Sequence, residues 1–114
     1  MDGVVVFNKM DTDFLEKLDE CRHRSGVVMS PSSSYRTRKK NKDVGGSPAS
    51  LHLLGRAVDV PVASASDRAK IIQAALSLGL SVGIMENALH LDDRAEQIVF
   101  HYYDKYILKS LLRK

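Results

Sequence analysis

Hydrophobic and polar positions repeat with two different periods along the 114-residue chain. Apolar residues recur at helical spacing in three segments, which predicts helices over residues 13–24, 66–78 and about 98–114. Shorter apolar runs predict four strands, over residues 27–30, 57–62, 80–85 and 88–92. Ser66 is the expected cap of the second helix, and Gly26 and Gly79 are expected to end the first two. This order of elements predicts an α+β fold, with a small antiparallel sheet flanked by helices.

Between the first two predicted strands lies a segment rich in serine, glycine, lysine and arginine, over residues 31–50. Its composition predicts a long loop, and loops of this length in small domains are usually functional. The chain shows no internal repeat and no shift in composition that would mark a domain boundary. We therefore expect one domain over residues 1–114, closed by a basic C-terminal helix over about residues 98–114.

The composition is that of a globular protein, with 44% hydrophobic and 27% charged residues. The net charge is +3, and basic residues concentrate in residues 36–42 and 105–114. Such clusters serve solubility or attract an anionic partner. Nothing beyond charge favours nucleic acid, so we expect no nucleic-acid partner, and we expect a monomer.

No apolar run approaches the roughly 18–20 residues that span a bilayer, and residues 1–8 do not resemble a cleavable signal. The sequence thus predicts a protein that has no transmembrane segment and is made in the cytoplasm without its own export route. Cys21 is the only cysteine, which excludes an internal disulfide and a cysteine-rich zinc site. Any metal site must therefore use histidine and carboxylate ligands.

Two short stretches carry the candidate chemistry. The stretch SLHLLGRAVDV places His52 and Asp59 among apolar residues, where a carboxylate is costly unless it is paired or bound to a cation. The stretch ALHLDD adds His90 and Asp92, which point to the same face if the segment is a strand. Two histidines and one aspartate suit a three-ligand zinc site, with Asp92 or Glu86 as the general base. On spacing alone, two histidines and two aspartates in a small protein are more often surface or hydrogen-bonded residues than metal ligands.

The first stretch matches every fixed position of the pattern SxHxxGxAxD and resembles the signature of the M15 zinc peptidases. The upstream residues SYRT and VGGSP and the downstream residues HLDDR resemble further motifs of that family. The similarity covers about residues 15–94 and is nearest to the small D-alanyl-D-alanine carboxypeptidase-like proteins of phages and prophages. The resemblance implies a fold like that of the DD-peptidases and the hedgehog domains.

The resemblance also implies a role for individual residues. His52, Asp59 and His90 would bind one zinc ion. Arg36 would hold a substrate carboxylate or the oxyanion that develops during the reaction, a task that suits a permanently charged guanidinium. Ser50 would contact the substrate or orient the site.

The general base is where the sequence departs most from the family pattern. Many members carry an acidic residue three positions before the last histidine, or a histidine two before it, and this chain has Asn87 and Ala88 there. Asp92 matches the H-x-D form found in the small branch, whereas Glu86 has no counterpart. Both are kept as candidates.

The implied function is a zinc-dependent peptidase that hydrolyses peptide bonds in peptidoglycan stem peptides, as a D-Ala-D-Ala carboxypeptidase or an endopeptidase. Such an enzyme would reach the cell wall after phage-type release or virion delivery. The alternative is a catalytically inactive zinc-binding module with a structural or wall-binding role, such as a phage component.

Overall fold

A computed structural model of the chain describes residues 10–32, 36–45 and 50–102. Its helices are α1 (Thr12–Ser25), α2 (Arg38–Asp43) and α3 (Ala65–Ser77), with a 3₁₀-helix at Leu51–Leu54. Its strands are β1 (Ala57–Pro61), β2 (Ser81–Ile84), β3 (Ala88–Asp92) and β4 (Val99–His101). The predicted α+β class is confirmed.

The four strands form one sheet in the order β1-β3-β2-β4. β3 pairs antiparallel with both β1 and β2, whereas β2 and β4 pair in parallel. The sheet is therefore mixed: β1, β3 and β2 form the predicted antiparallel sheet, and β4 adds a parallel strand at its edge. After β3, residues 93–98 lead the chain past β2 to the edge of the sheet. β4 then runs in the direction opposite to β3, which makes it parallel to β2.

Alternation along the strands gives the sheet two chemically different faces. In β3, Leu89 and Leu91 are buried in the hydrophobic core, while His90 and Asp92 point to the other face. The core joins the sheet to α1 and α3; its largest fully buried apolar side chains are Phe14, Ile71, Leu80, Leu89, Leu91, Val58, Val60 and Val82. The polar face carries the candidate site.

The helix boundaries follow local capping. The Asp11 carboxylate accepts a hydrogen bond from the Phe14 amide at 2.9 Å and begins α1. Gly26, with a left-handed φ of 69°, ends α1 as predicted. Ser64 caps α3, so the prediction of Ser66 as cap is wrong by two positions.

Three other predictions from the pattern need correction. Residues 27–30 form no strand in the described structure. The predicted loop over residues 31–50 contains α2, a six-residue polar helix capped by Thr37, which apolar periodicity cannot detect. The predicted C-terminal helix is wrong at its start, because Val99–His101 is β4, and residues 103–114 lie outside the described residues.

None of the described helices combines the length and the apolar character needed to span a bilayer.

Candidate metal centre

Three buried side chains converge on the polar face of the sheet. His52 Nε2 lies 3.4 Å from Asp59 Oδ1, and His90 Nδ1 lies 3.0 Å from the same oxygen. One ligand atom from each residue lies within 4.8 Å of the other two. The predicted ligand set is therefore assembled around one point, although its three members span 39 positions of sequence.

Two adjacent strands and one 3₁₀-helix position these side chains. Asp59 on β1 and His90 on β3 are direct cross-strand partners. His52 comes from the 3₁₀-helix, where the Ser50 hydroxyl accepts a hydrogen bond from the His52 amide at 3.2 Å. Gly55 ends this helix with a φ of 67°, a left-handed conformation that favours glycine. Ser50 is thus the N-cap of the 3₁₀-helix that carries His52.

The donor set and its electrostatics fit a divalent metal. Two imidazole nitrogens and one carboxylate oxygen form a three-ligand set of the kind found in catalytic zinc sites. Burial raises the pKa of Asp59, but hydrogen bonds from His52 and His90 outweigh this effect and hold the pKa well below its usual range. The buried carboxylate is therefore ionised and available as a ligand.

His90 is held by a second carboxylate on the side away from Asp59. Asp92 Oδ2 lies 2.7 Å from His90 Nε2. When Nε2 donates its hydrogen to Asp92, the lone pair of Nδ1 faces Asp59 and the candidate metal position. Ligating histidines almost always donate the other ring N–H to such a partner, which fixes the tautomer and the ring orientation.

Asp92 is itself held by Arg94. The Arg94 guanidinium donates to Asp92 Oδ1 through Nε at 2.9 Å and to Oδ2 through Nη2 at 2.6 Å. The Asp92 side chain is fully buried. Burial raises the pKa of Asp92, but hydrogen bonds from His90 and Arg94 outweigh it and keep the pKa below its usual range. Both oxygens are thus occupied, which favours a positioning role for Asp92 over proton transfer.

Arg36 contacts the carboxylate oxygen of Asp59 that the two histidines leave free. Its Nη2 donates to Asp59 Oδ2 at 3.3 Å, and its Nη1 donates to the Asn41 side-chain oxygen at 3.2 Å. The Arg36 amide also donates to the His52 carbonyl at 2.9 Å. These contacts orient the guanidinium beside the candidate ligands, where the sequence resemblance places it.

These residues form the floor of a cavity of about 760 Å³. The described residues that line it are Arg36, Val44, Gly45, Ser50, Leu51, His52, Asp59, Met85, His90, Asp92, Arg94, Phe100 and Tyr102. A molecule bound in this cavity would therefore lie next to the candidate ligands.

The structure brings together all but one of the predicted site residues. Glu86 lies in the turn between β2 and β3, is exposed, and is not among the described residues that line the cavity. Sequence reasoning gave no role to Arg94, although it belongs to the HLDDR motif. It also assigned Tyr102 to a helix, whereas residues 99–101 form β4 and bring Phe100, and Tyr102 directly after the strand, to the site. The signal in the sequence is the run of β-branched and aromatic residues in VFHY.

Zinc stabilisation of this protein should increase with pH. Burial lowers the pKa of His90, but hydrogen bonds to Asp59 and Asp92 outweigh it and raise the pKa above 6.5 in the metal-free protein. Protonation of His90 stabilises the folded state fully at pH values below the pKa that His90 has in the unfolded chain. This stabilisation is lost as the pH rises through the pKa of His90 in the folded protein. Since zinc must displace the proton, we expect a larger zinc-induced rise in Tm at about pH 8 than at about pH 6.

Differential scanning fluorimetry with added zinc checks this expectation. Magnesium, which prefers oxygen ligands, is the control and should give little shift at either pH. A zinc-induced shift that is equal at the two pH values would contradict the histidine ligation.

Comparison with known families adds an independent observation. The model of the family described as Peptidase M15 matches residues 2–92, a span that includes His52, Asp59 and His90. No curated protein matches the chain.

Proposed function

Because the chain belongs to the Peptidase M15 family, we propose that it is a zinc-dependent peptidase acting on peptidoglycan stem peptides, as a D-Ala-D-Ala carboxypeptidase or an endopeptidase. The observation that carries this proposal is the convergence of His52, Asp59 and His90 at the floor of an accessible cavity. The stem-peptide substrate and the phage-type route to the wall derive from the motif resemblance.

In this proposal, His52, Asp59 and His90 would hold the zinc ion. Zinc, when bound, supplies Lewis-acid polarisation of the carbonyl and activation of water. Arg36 binds the free carboxylate of the peptide or the oxyanion that develops on the carbonyl oxygen. Its contacts with Asp59 and Asn41 preorganise the guanidinium, so little reorganisation accompanies the reaction.

Asp92 has a positioning role in the proposed mechanism. It holds the Nε2–H of His90 and so directs Nδ1 toward the metal, while Arg94 holds Asp92 in place. The proton transfer expected of Asp92 or Glu86 has weak geometric support, because Asp92 is occupied by His90 and Arg94 and Glu86 does not line the cavity.

That same geometry favours a second candidate function, an inactive zinc-binding module. Among the described residues, Asp59 and Asp92 are the only carboxylates that line the cavity, and one is a candidate ligand while the other is hydrogen bonded on both oxygens. A module of this kind would bind zinc and wall peptides through the same cavity without cleaving them.

Digestion of purified muropeptides by the zinc-loaded protein separates the two functions. The peptidase should release a fragment whose mass identifies the cleaved bond, and removal of zinc with a chelator should stop the release. Zinc binding without any change in muropeptide mass would support the inactive module.

A further inference from the structure

Two aromatic side chains, Phe100 in β4 and Tyr102 directly after it, pack against the candidate ligand His90. The ring centroids of Phe100 and Tyr102 lie 5.7 Å and 6.1 Å from that of His90, and they lie 5.3 Å from each other, all in edge-to-face arrangements. The Tyr102 amide donates to the Ile84 carbonyl at 3.0 Å, which continues the pairing of β4 with β2 beyond His101. We call Phe100 and Tyr102 the aromatic wall.

Gly83 provides the space in which this wall sits. It lies on β2 between His90 on β3 and Phe100 on β4, as the register partner of both. A Cβ atom at Gly83 would lie 2.8 Å from ring carbons of both Phe100 and Tyr102. Since real Cβ atoms do not approach other atoms so closely, any side chain at this position would displace the wall.

The Tyr102 side chain is both accessible and close to the charged groups of the cavity. Tyr102 is 51% exposed, although it lines the cavity. Its ring contacts that of His90, with the two centroids 6.1 Å apart. A tyrosine hydroxyl at this position can act as a hydrogen-bond donor to a bound molecule.

Arg94 supports the other half of the wall. Its guanidinium carbon lies 4.8 Å from the centroid of the Phe100 ring, in a cation–π contact, while the same guanidinium holds Asp92. Arg94 thus contacts both Phe100 and Asp92, the residue that positions His90. The family match ends at residue 92, so the family comparison does not extend to β4.

We propose that the aromatic wall binds the substrate peptide, with the Tyr102 hydroxyl donating a hydrogen bond to it and the Phe100 ring packing against one of its apolar side chains. This inference rests on the proposed function and assigns the substrate contacts on the β4 side of the cavity. The rings of Phe100 and Tyr102 already fill the space next to Gly83. The remaining space beside the wall therefore suits a substrate peptide with small apolar side chains next to the cleaved bond. Tyr102 is therefore a substrate-contacting residue, and Gly83 is a positioning residue.

The test compares Tyr102→Phe and Gly83→Ala with wild type, each loaded with zinc, on a stem-peptide substrate. Tyr102→Phe keeps the ring and removes only the hydroxyl, so we expect kcat/KM to fall at least about tenfold while zinc content is unchanged. Gly83→Ala should lower kcat/KM through displacement of both rings. Calorimetric titration with the shortened product peptide should show weaker binding by both variants.

Val99→Ala is the matched control, because Val99 is exposed, neighbours Phe100 in β4 and does not line the cavity. It should leave kcat/KM and product binding unchanged. If wild type cleaves the peptide and Tyr102→Phe matches it in kcat/KM and product binding, the role of Tyr102 is overturned while the proposed function stands. If wild type neither cleaves nor binds the peptide, the proposed function and the wall's role in it both fail.

Discussion

Replacing His52 with alanine should remove zinc binding and peptide cleavage together. His52 supplies one of three converging ligand atoms, and its side chain is buried beside Asp59. We expect cleavage to slow by at least about a thousandfold, because a bound metal supplies several kcal/mol of transition-state stabilisation and about 1.4 kcal/mol corresponds to a tenfold change in rate. Elemental analysis and muropeptide digestion of the same sample measure both losses.

His23→Ala is the matched control for this substitution. His23 is an exposed residue of α1 and does not line the cavity. The control should bind zinc and cleave as wild type does, which separates loss of a ligand from loss of any histidine. Cleavage at the wild-type rate by His52→Ala would rule out the proposed metal centre.

Replacing Asp92 with alanine should weaken zinc binding without abolishing it. The substitution leaves His90 Nε2 without its carboxylate partner and frees the Arg94 guanidinium that Asp92 now holds. Partners of this kind typically contribute about 10–100-fold to metal affinity or activity, and we expect a loss in that range. Competition with a chromogenic chelator measures the zinc affinity.

Asp93→Ala provides a control with the same change in charge at the next position. Asp93 Oδ1 accepts from Arg56 Nε at 2.7 Å, and Asp93 does not line the cavity. It should leave zinc affinity unchanged. If zinc affinity is also unchanged in Asp92→Ala while cleavage is lost, Asp92 acts on the substrate or its protons and the positioning role is wrong.

The site residues on β1 and β3 could be predicted because the family motif singles them out and the strand period is consistent with it. On spacing alone, such residues are more often surface or hydrogen-bonded residues. In β3, Leu89 and Leu91 alternate with His90 and Asp92, so one face is apolar and the other carries metal-binding groups. An unpaired carboxylate such as Asp59 in an apolar strand is costly, which makes a partner or cation necessary. These two signals are local, and the structure bears them out by pairing Asp59 with His90 across the sheet.

The features that sequence reasoning missed depend on contacts between distant segments. Tyr102 fits a helical spacing with apolar residues that follow it, but pairing of β4 with β2 makes residues 99–101 a strand. α2 is polar along its length, so no apolar stripe predicts it. The spacing of Asp92 suits a general base, and only the return of Arg94 onto its oxygens favours a positioning role.

The most direct test of the metal centre is the zinc content of the wild-type protein after incubation with excess zinc and dialysis. We expect about one zinc ion per chain, bound through two nitrogen ligands and one carboxylate oxygen from the protein. A protein that retains no zinc under these conditions would contradict the metal centre, and His52, Asp59 and His90 would then be a buried hydrogen-bonded cluster with no catalytic role.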